Sequence, residues 1–337
     1  MVMNPSKSVI QHISFNENEE YFACGTESGF SIYSSKPYMR TFSHFFDAGI
    51  SGVAINLESE TIALVGGGKY PRYPANKVIL WDCERKKSIK ELIFKFNVKS
   101  IKLCRNHLII GLERHIYVYQ LPELGIFQAV ETSFNPQGLC AASNKGPLMI
   151  VCLGKKEGDI QIFNYGSRII TTHSIFNVSI SGLAITHNGY LCAVSSEDGR
   201  YIRIVNMSTG NTVQQLYCGP NKSVIQHLSF DPTNKWLACS TDKDVIRVFF
   251  IRKSSVKIKK TGIENYDLEY MEKRSACFSF ETSVAEFRVP HPDSKAIVGF
   301  KDSQLIIVTR GGYYYRVNVN KDGKCKLETT KSIYNDV

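Results

Sequence analysis

Ser8-Val-Ile-Gln-His-Ile-Ser-Phe15 returns as Ser223-Val-Ile-Gln-His-Leu-Ser-Phe230, and the register continues through Ala23-Cys24-x-Thr26 against Ala238-Cys239-x-Thr241. The offset is 215 residues, five periods of 43. A period of ~40–45 residues is that of a propeller blade. A β-rich segment closing each unit follows at Ser31-Ile-Tyr33, Ile79-Leu-Trp81, Ile116-Tyr-Val-Tyr119, Ile160-Gln-Ile-Phe163, Ile202-Arg-Ile-Val205, Ile246-Arg-Val-Phe249 and Ile306-Ile-Val308. From Tyr33 through Trp81, Tyr119, Phe163, Val205 and Phe249 to Val308 the gaps are 48, 38, 44, 42, 44 and 59.

Within each unit, short runs of Val, Ile, Tyr and Phe alternate with polar turn clusters such as Asn16-Glu-Asn18 and Glu197-Asp-Gly199, the pattern of strands joined by tight turns. Long segments of 3.6 period are absent. Four-stranded sheets bury both faces only against neighbouring sheets, and seven of them close into a ring. The expected fold is therefore all-β, a seven-bladed WD40-like β-propeller forming one domain over residues 1–337. The longest gap marks an inserted loop at about 252–275 in blade 6, with a further strand at Ala276-Cys-Phe-Ser-Phe280.

The 337 residues are 43% hydrophobic and 21% charged, ordinary for a globular chain that needs neither disulfides nor metal to hold its core. No run of 18 apolar residues is present, and Met1-Val-Met-Asn-Pro-Ser-Lys7 lacks a secretory signal pattern; the expected location is the cytoplasm. The ten cysteines stand singly, none in CxxC spacing, mostly inside apolar runs. They read as reduced, buried thiols rather than zinc ligands. The net charge of +10 favours a polyanionic partner or an anionic membrane surface. Nucleic acid is disfavoured, because the basic residues are not interleaved with aromatics in one stripe.

Catalytic signatures are missing. Gly66-Gly-Gly-Lys69 has Ala63 and Tyr70 where a P-loop needs Gly and Ser or Thr, so the glycines read as a turn in blade 2. No HExxH or GxSxG occurs. His12 and His227, at equivalent repeat positions, predict a shared structural bond within the blade. The chain reads as a non-enzyme without cofactor.

At this point the residues carry a family resemblance. Ala63-Leu-Val-Gly-Gly-Gly-Lys-Tyr-Pro-Arg-Tyr-Pro-Ala-Asn-Lys-Val-Ile-Leu-Trp-Asp82, Asn135-Pro-Gln-Gly-Leu-Cys140, Leu305-Ile-Ile-Val-Thr-Arg-Gly-Gly-Tyr-Tyr-Tyr315 and Gly323-Lys-Cys325 resemble segments of the PROPPINs, the phosphoinositide-binding propellers of autophagy that include the WIPI proteins. The resemblance runs from about Phe15 to Lys326. The blade-2 and Asn-Pro-x-Gly-Leu-Cys segments look most like the smaller WIPI-type adaptors of autophagic lipid-transfer machinery.

The resemblance implies two headgroup pockets, each served by one arginine of a Phe/Leu-Arg-Arg-Gly motif after blade 5. Here Leu216-Tyr217-Cys218-Gly219 occupies that position: the turn residues Leu216 and Gly219 remain and both arginines are gone. Family pocket positions are matched by Ser195 and Ser196 on one side and by Ser240 and Thr241 on the other, with Arg203 and Arg247 as basic positions. Lys222, Arg200 and Lys243 lie close enough in sequence to compensate. Each lost arginine removes about 1.5–3 kcal/mol of charge-assisted bonding to phosphate. A surviving pocket is expected to use Arg247 with Ser240 and Thr241. If the pocket walls are intact, Tyr217→Arg with Cys218→Arg is expected to restore affinity.

The inserted loop carries Arg252, Lys253, Lys257, Lys259 and Lys260 without an acid among them, followed by Ile263, Tyr266 and Tyr270 at amphipathic helical spacing. It reads either as a solvated surface loop or as a membrane or partner contact. Two functions stay open. One is a peripheral adaptor on autophagic or endosomal membranes that binds PI3P or PI(3,5)P2 weakly and recruits autophagy proteins through its blade surfaces. The other is a lipid-blind protein scaffold. A monomer is expected in either case.

Overall fold

The computed structural model describes residues 9–56, 61–143, 145–252, 280–292, 295–319 and 324–335. The 253–275 part of the expected loop, its lysines included, and most of the expected strand at 276–280 lie outside the described residues.

Seven antiparallel meanders follow one another along the chain, within residues 10–45, 50–93, 100–131, 140–174, 180–217, 225–288 and 296–332. Each forms its own sheet, and these are blades 1 to 7. The expectation of a seven-bladed all-β propeller is met. Pleating sends alternate side chains to opposite faces of a blade, so every blade is apolar on both faces and must be covered on both. The buried residues divide accordingly into seven apolar clusters, one in each gap between neighbouring blades.

Blade 7 differs from the sequence reading. Ile306-Ile-Val308 lies on its second strand, Gln304–Thr309, and the third is Tyr313–Val319. The residue equivalent to Tyr33, Trp81, Tyr119 and Val205 is Val317, which shares with them a register shift against the outer strand. Both strands are rich in apolar and aromatic residues, so composition alone does not separate them. In blade 6 the third strand, Val245–Phe250, is followed across the insertion by the fourth, Ala285–Arg288.

The inner strands surround a central cavity of about 330 Å³ lined by His12, His227, Ser181 and Glu19 among others. Here the histidine expectation is corrected in its geometry. The backbone N–H of Val53, in blade 2, donates to Nδ1 of His12 in blade 1 at 3.3 Å. That of Val298, in blade 7, donates to Nδ1 of His227 in blade 6 at 3.4 Å. The shared bond is structural, but it ties one blade to the next rather than strands within a blade. Burial lowers both histidines to a pKa of about 4, which keeps Nδ1 free to accept.

The glycine run of blade 2 is likewise structural. A Cβ on Gly66 would lie 1.7 Å from the Tyr73 carbonyl oxygen, and one on Gly67 would lie 2.2 Å from the Ser51 hydroxyl. The next N–H, of Lys69, donates to the Glu27 carboxylate at 3.0 Å, so a carboxylate of blade 1 occupies the loop. In Asn135-Pro-Gln-Gly-Leu-Cys140, Asn135 Oδ1 accepts the N–H of Leu139 at 2.7 Å, and the Gly138 carbonyl accepts the Ser100 hydroxyl of blade 3 at 2.5 Å. That motif is a closed turn docked onto the preceding blade. Nine of the ten cysteines are described, and all nine are free thiols.

The paired histidines make a prediction. His227→Ala strips the Val298 N–H of its buried acceptor and should cost about 1–3 kcal/mol at pH 7. His227→Asn places an amide oxygen near the position of Nδ1 and should cost less. Because the folded-state pKa is depressed, histidine-linked stability is present above pH 6.5 and is lost as pH falls from 6.5 towards 4. Urea titrations across that window should show a shallower acid loss for His227→Asn than for the native chain. Parallel curves would contradict the assignment.

Candidate functional site at blades 5 and 6

The outer strand of blade 5, Thr212–Tyr217, runs directly into Cys218 and Gly219. Its alternation turns Tyr217 towards blade 4 and Leu216 and Cys218 towards blade 6, as their membership of the two flanking apolar clusters records. Tyr217 and Cys218, consecutive in the chain, thus serve separate interfaces. Gly219 has φ of +128°, a conformation that favours glycine.

On the blade 4 side, Tyr217 is packed with aromatic rings. Its ring centroid lies 5.5 Å from that of Tyr201 and 6.3 Å from that of Phe280, and Tyr201 and Phe280 are 5.3 Å apart. Phe280 arrives on the return from the insertion. The next two residues, Glu281–Thr282, pair in parallel with Leu216–Tyr217 as a fifth strand of blade 5. Gln214 clamps this strap, donating to Glu281 Oε2 at 2.9 Å and to the Phe250 carbonyl at 2.8 Å while accepting the Arg252 N–H at 3.1 Å. Arg252 Nε pairs with Glu281 Oε1 at 3.0 Å.

Arg203 lies on the third strand of blade 5 and is already engaged. Its guanidinium sits 4.6 Å from the Phe176 ring centroid and donates to the Ile175 carbonyl. Burial pulls its pKa below the ordinary arginine value, a consequence of removing the cation from water.

On the blade 6 side, Cys218 is 6% exposed and packs against the fully buried Cys239. Cys239 pairs in register with Arg247. The Arg247 guanidinium approaches Gly219, where a Cβ would lie 3.9 Å from it. Arg247 and the motif turn are therefore brought together. Its charge is matched by Glu286, at 2.9 Å from Nε, and the same carboxylate oxygen accepts the Ser283 hydroxyl at 3.1 Å. Arg200 pairs with Asp198 at 2.7 Å and Lys243 with Asp242 at 3.8 Å, while Lys222 is exposed on the connection to blade 6.

The four hydroxyls do not complete these sites. Ser240 donates to the Ala296 carbonyl at 2.6 Å, which places it against blade 7, away from the blade 5 face that Arg247 shares. Thr241 donates to the Val245 carbonyl and Ser196 to the Tyr201 carbonyl, each at 3.2 Å. Thr26 of blade 1 and Thr309 of blade 7 make the same bond, to the Gly29 and Tyr313 carbonyls. A hydroxyl ending the second strand is thus a recurrent clasp of the propeller hairpin. Ser195 is buried and bonded to Ser181 at 2.9 Å. The structure does not bring Arg247 together with Ser240 and Thr241: these side chains belong to different interfaces and to the blade's own scaffold.

Glu281, Gln214 and Glu286 carry no signal in the sequence, and Phe280 enters the sequence reading only as the end of the strand expected at 276–280. The aromatic run ending at Phe280 was visible, but its parallel pairing with blade 5 has no local signature. Among the described residues no cluster of His, Cys, Asp or Glu is placed to hold a metal, and no helix is long and apolar enough to cross a membrane.

The two motif positions should respond differently to arginine. Cys218→Arg must push a long cation into a closed cluster, and overpacking alone should cost about 1–3 kcal/mol. Tyr217 is only partly buried, so Tyr217→Arg should cost less. Urea unfolding of the two variants tests this. Equal stability of both with the native chain would show that room for arginine persists.

Comparison with known proteins accords with this architecture. A protein-family model described as PROPPIN matches residues 9–273. Autophagy-related protein 18e of Arabidopsis thaliana is 29% identical over 300 residues, covering 88% of this chain and 79% of that protein. SVP1-like protein 2 of Schizosaccharomyces pombe is 30% identical over 291 residues, covering 84% and 77%. Among solved structures, Kluyveromyces lactis Hsv2 superposes with a TM-score of 0.77 at 17% identity, covering 97% of this chain and 99% of that one. KlAtg21, solved in complex with the coiled coil of AgAtg16, gives a TM-score of 0.77 at 19% identity, covering 96% and 99%. The chain belongs to the PROPPIN family, the non-enzymatic β-propellers of autophagy.

Proposed function

We propose that this chain is a peripheral adaptor of autophagic membranes in which protein contacts dominate recruitment and specific headgroup recognition is weakened. The observation that carries this reading is the pair of plugs at the motif: Tyr217 with Tyr201 and Phe280 on one side, Cys218 with Cys239 on the other. Neither plug offers a phosphate a charged donor. The nearby arginines are held by protein partners, Arg203 by the Ile175 carbonyl and Phe176, Arg247 by Glu286 and Arg200 by Asp198, which leaves the exposed Lys222.

A phosphoinositide would have to displace these partners, and the exchange cancels much of the 1.5–3 kcal/mol or so that an arginine–phosphate bond contributes. What remains is attraction between the net charge of +10 and an anionic bilayer, about 1 kcal/mol per basic side chain near the surface. That attraction reads charge density rather than headgroup identity. A coiled-coil protein is the partner class favoured by the relative KlAtg21, which was solved with one.

Liposome flotation tests the reading. Vesicles containing phosphatidylinositol 3-phosphate and vesicles of matched charge containing phosphatidylserine should float the protein equally, and salt should abolish both as the Debye length shrinks. Tyr217→Arg with Cys218→Arg should add no phosphoinositide preference, because the walls around both positions are filled. Preferential, salt-resistant binding to the phosphoinositide that Arg247→Ala removes would overturn the proposal.

A further inference from the structure

Glu19 is a buried carboxylate that the proposed function does not use. It sits in the turn between the first two strands of blade 1 with φ of +58°, an uncommon conformation for a residue other than glycine. Its side chain leaves its own blade. Oε1 accepts the Ser229 hydroxyl of blade 6, and Oε2 accepts the Phe300 N–H of blade 7. Blade 7 makes room for it: a Cβ on Gly299 would lie 2.8 Å from the Glu19 carboxyl carbon. One carboxyl group therefore joins three successive blades, at the place where the ring closes.

The surroundings accommodate the group in two protonation states. When it is ionised, both oxygens accept, as described. When it is neutral, its proton can be donated to Ser229 Oγ while the Ser229 hydroxyl turns to the Phe230 carbonyl at 3.3 Å, and the Phe300 bond is unchanged. Both states satisfy the hydrogen bonds, but only one places a charge in the junction.

We propose that Glu19 is a protonation-controlled latch on the ring, sealing the junction of blades 6, 7 and 1 when neutral and loosening the seam between blades 7 and 1 when ionised. Among the described residues no cation pairs with this carboxylate, although Lys102 of blade 3 lines the same central cavity. Lys301 of blade 7 is held by Glu20 at 2.6 Å, and Glu17 on the same turn accepts the Arg105 N–H. From blade 6, the Asp231 carboxylate is bound by the N–H groups of Thr233, Lys235 and Trp236 and opposes ionisation of Glu19. His12 and His227, with pKa values of about 4, stay neutral above pH 5, and His187 is lowered from its ordinary value by burial.

Burial raises Glu19 to a pKa of about 7 against its ordinary 4.5. Because the folded-state value is raised, the contribution of this group is fully present below pH 4.5 and is lost as pH rises through 7.

The test is hydrogen exchange at the Phe300 and Lys301 amides across pH 5 to 8, each corrected for intrinsic exchange and compared with Glu19→Gln. In the native chain the opening constant should rise on the order of a hundredfold over this window, from the linkage between the two pKa values. In Glu19→Gln that pH-dependent rise should be absent. Parallel profiles would overturn the latch. Infrared spectroscopy of the native chain supplies a reading independent of any variant's folding. A protonated-carboxyl band present at pH 6 and gone at pH 8 is expected, and no such band at pH 6 would also overturn it.

Discussion

Everything in this propeller depends on closing a ring without a shared strand. Among the described residues, the four strands of blade 1 come from residues 10–45 and the four of blade 7 from 296–332, with none exchanged between them. The seam is therefore held by side chains. The Tyr314 ring packs against that of Tyr38 in a tilted arrangement, with centroids 4.7 Å apart, and Tyr314 donates its hydroxyl to the Ser35 carbonyl at 2.6 Å. Lys301 pairs with Glu20, Lys36 with Asp302 at 3.2 Å, and Glu19 reaches across to blades 6 and 7. Six interfaces join blades consecutive in sequence, whereas the seventh must bring together the two ends of the chain. Its cost in loop-closure entropy grows only slowly with length, so a compact apolar seam with a few directional bonds suffices.

Closure fixes the blade edges, and the edges decide what the surface recognises. Because pleating sends Tyr217 and Cys218 to different faces, one dipeptide lines two interfaces. An arginine at such a position must keep its guanidinium open to an anion. A tyrosine or cysteine there can instead be drawn into the apolar cluster beside it, and the structure shows both outcomes. The strap at Phe280–Thr282 completes the first, laying an aromatic ring over Tyr201 and Tyr217. The remaining arginines, surrounded by acceptors, turn inward to carboxylates and carbonyls. Tyr217 and Cys218 are thus built into two separate apolar interfaces.

Much of this was legible in the sequence where the repeat is near exact. Ile10–Phe15 and Ile225–Phe230 are inner strands doing the same task in blades 1 and 6, so their shared histidine marks a common bond. The direction of that bond was hidden, because a sequence shows which positions are equivalent but not which neighbour each faces. Ser240 illustrates the same limit: one residue from Thr241, it turns to blade 7 while Thr241 closes its own hairpin. Ser196 and Thr241 match family pocket positions, yet the same hydroxyl recurs as Thr26 and Thr309 in blades 1 and 7, where it closes the hairpin. In blade 7, two adjacent β-rich strands competed for one marker. Phe280 and Glu281 were out of reach for a different reason, since a two-residue parallel pairing after a long insertion leaves no periodicity to read.

On the proposed reading, Tyr217 and Cys218 do not form headgroup sites. Isothermal titration of the native chain with the soluble headgroup inositol 1,3-bisphosphate addresses it without a membrane. Titration should give only the weak, salt-suppressed heat of a polyanion meeting a basic surface, with no saturable site. Saturable binding with a defined stoichiometry, lost in Arg247→Ala or Arg203→Ala, would contradict the account.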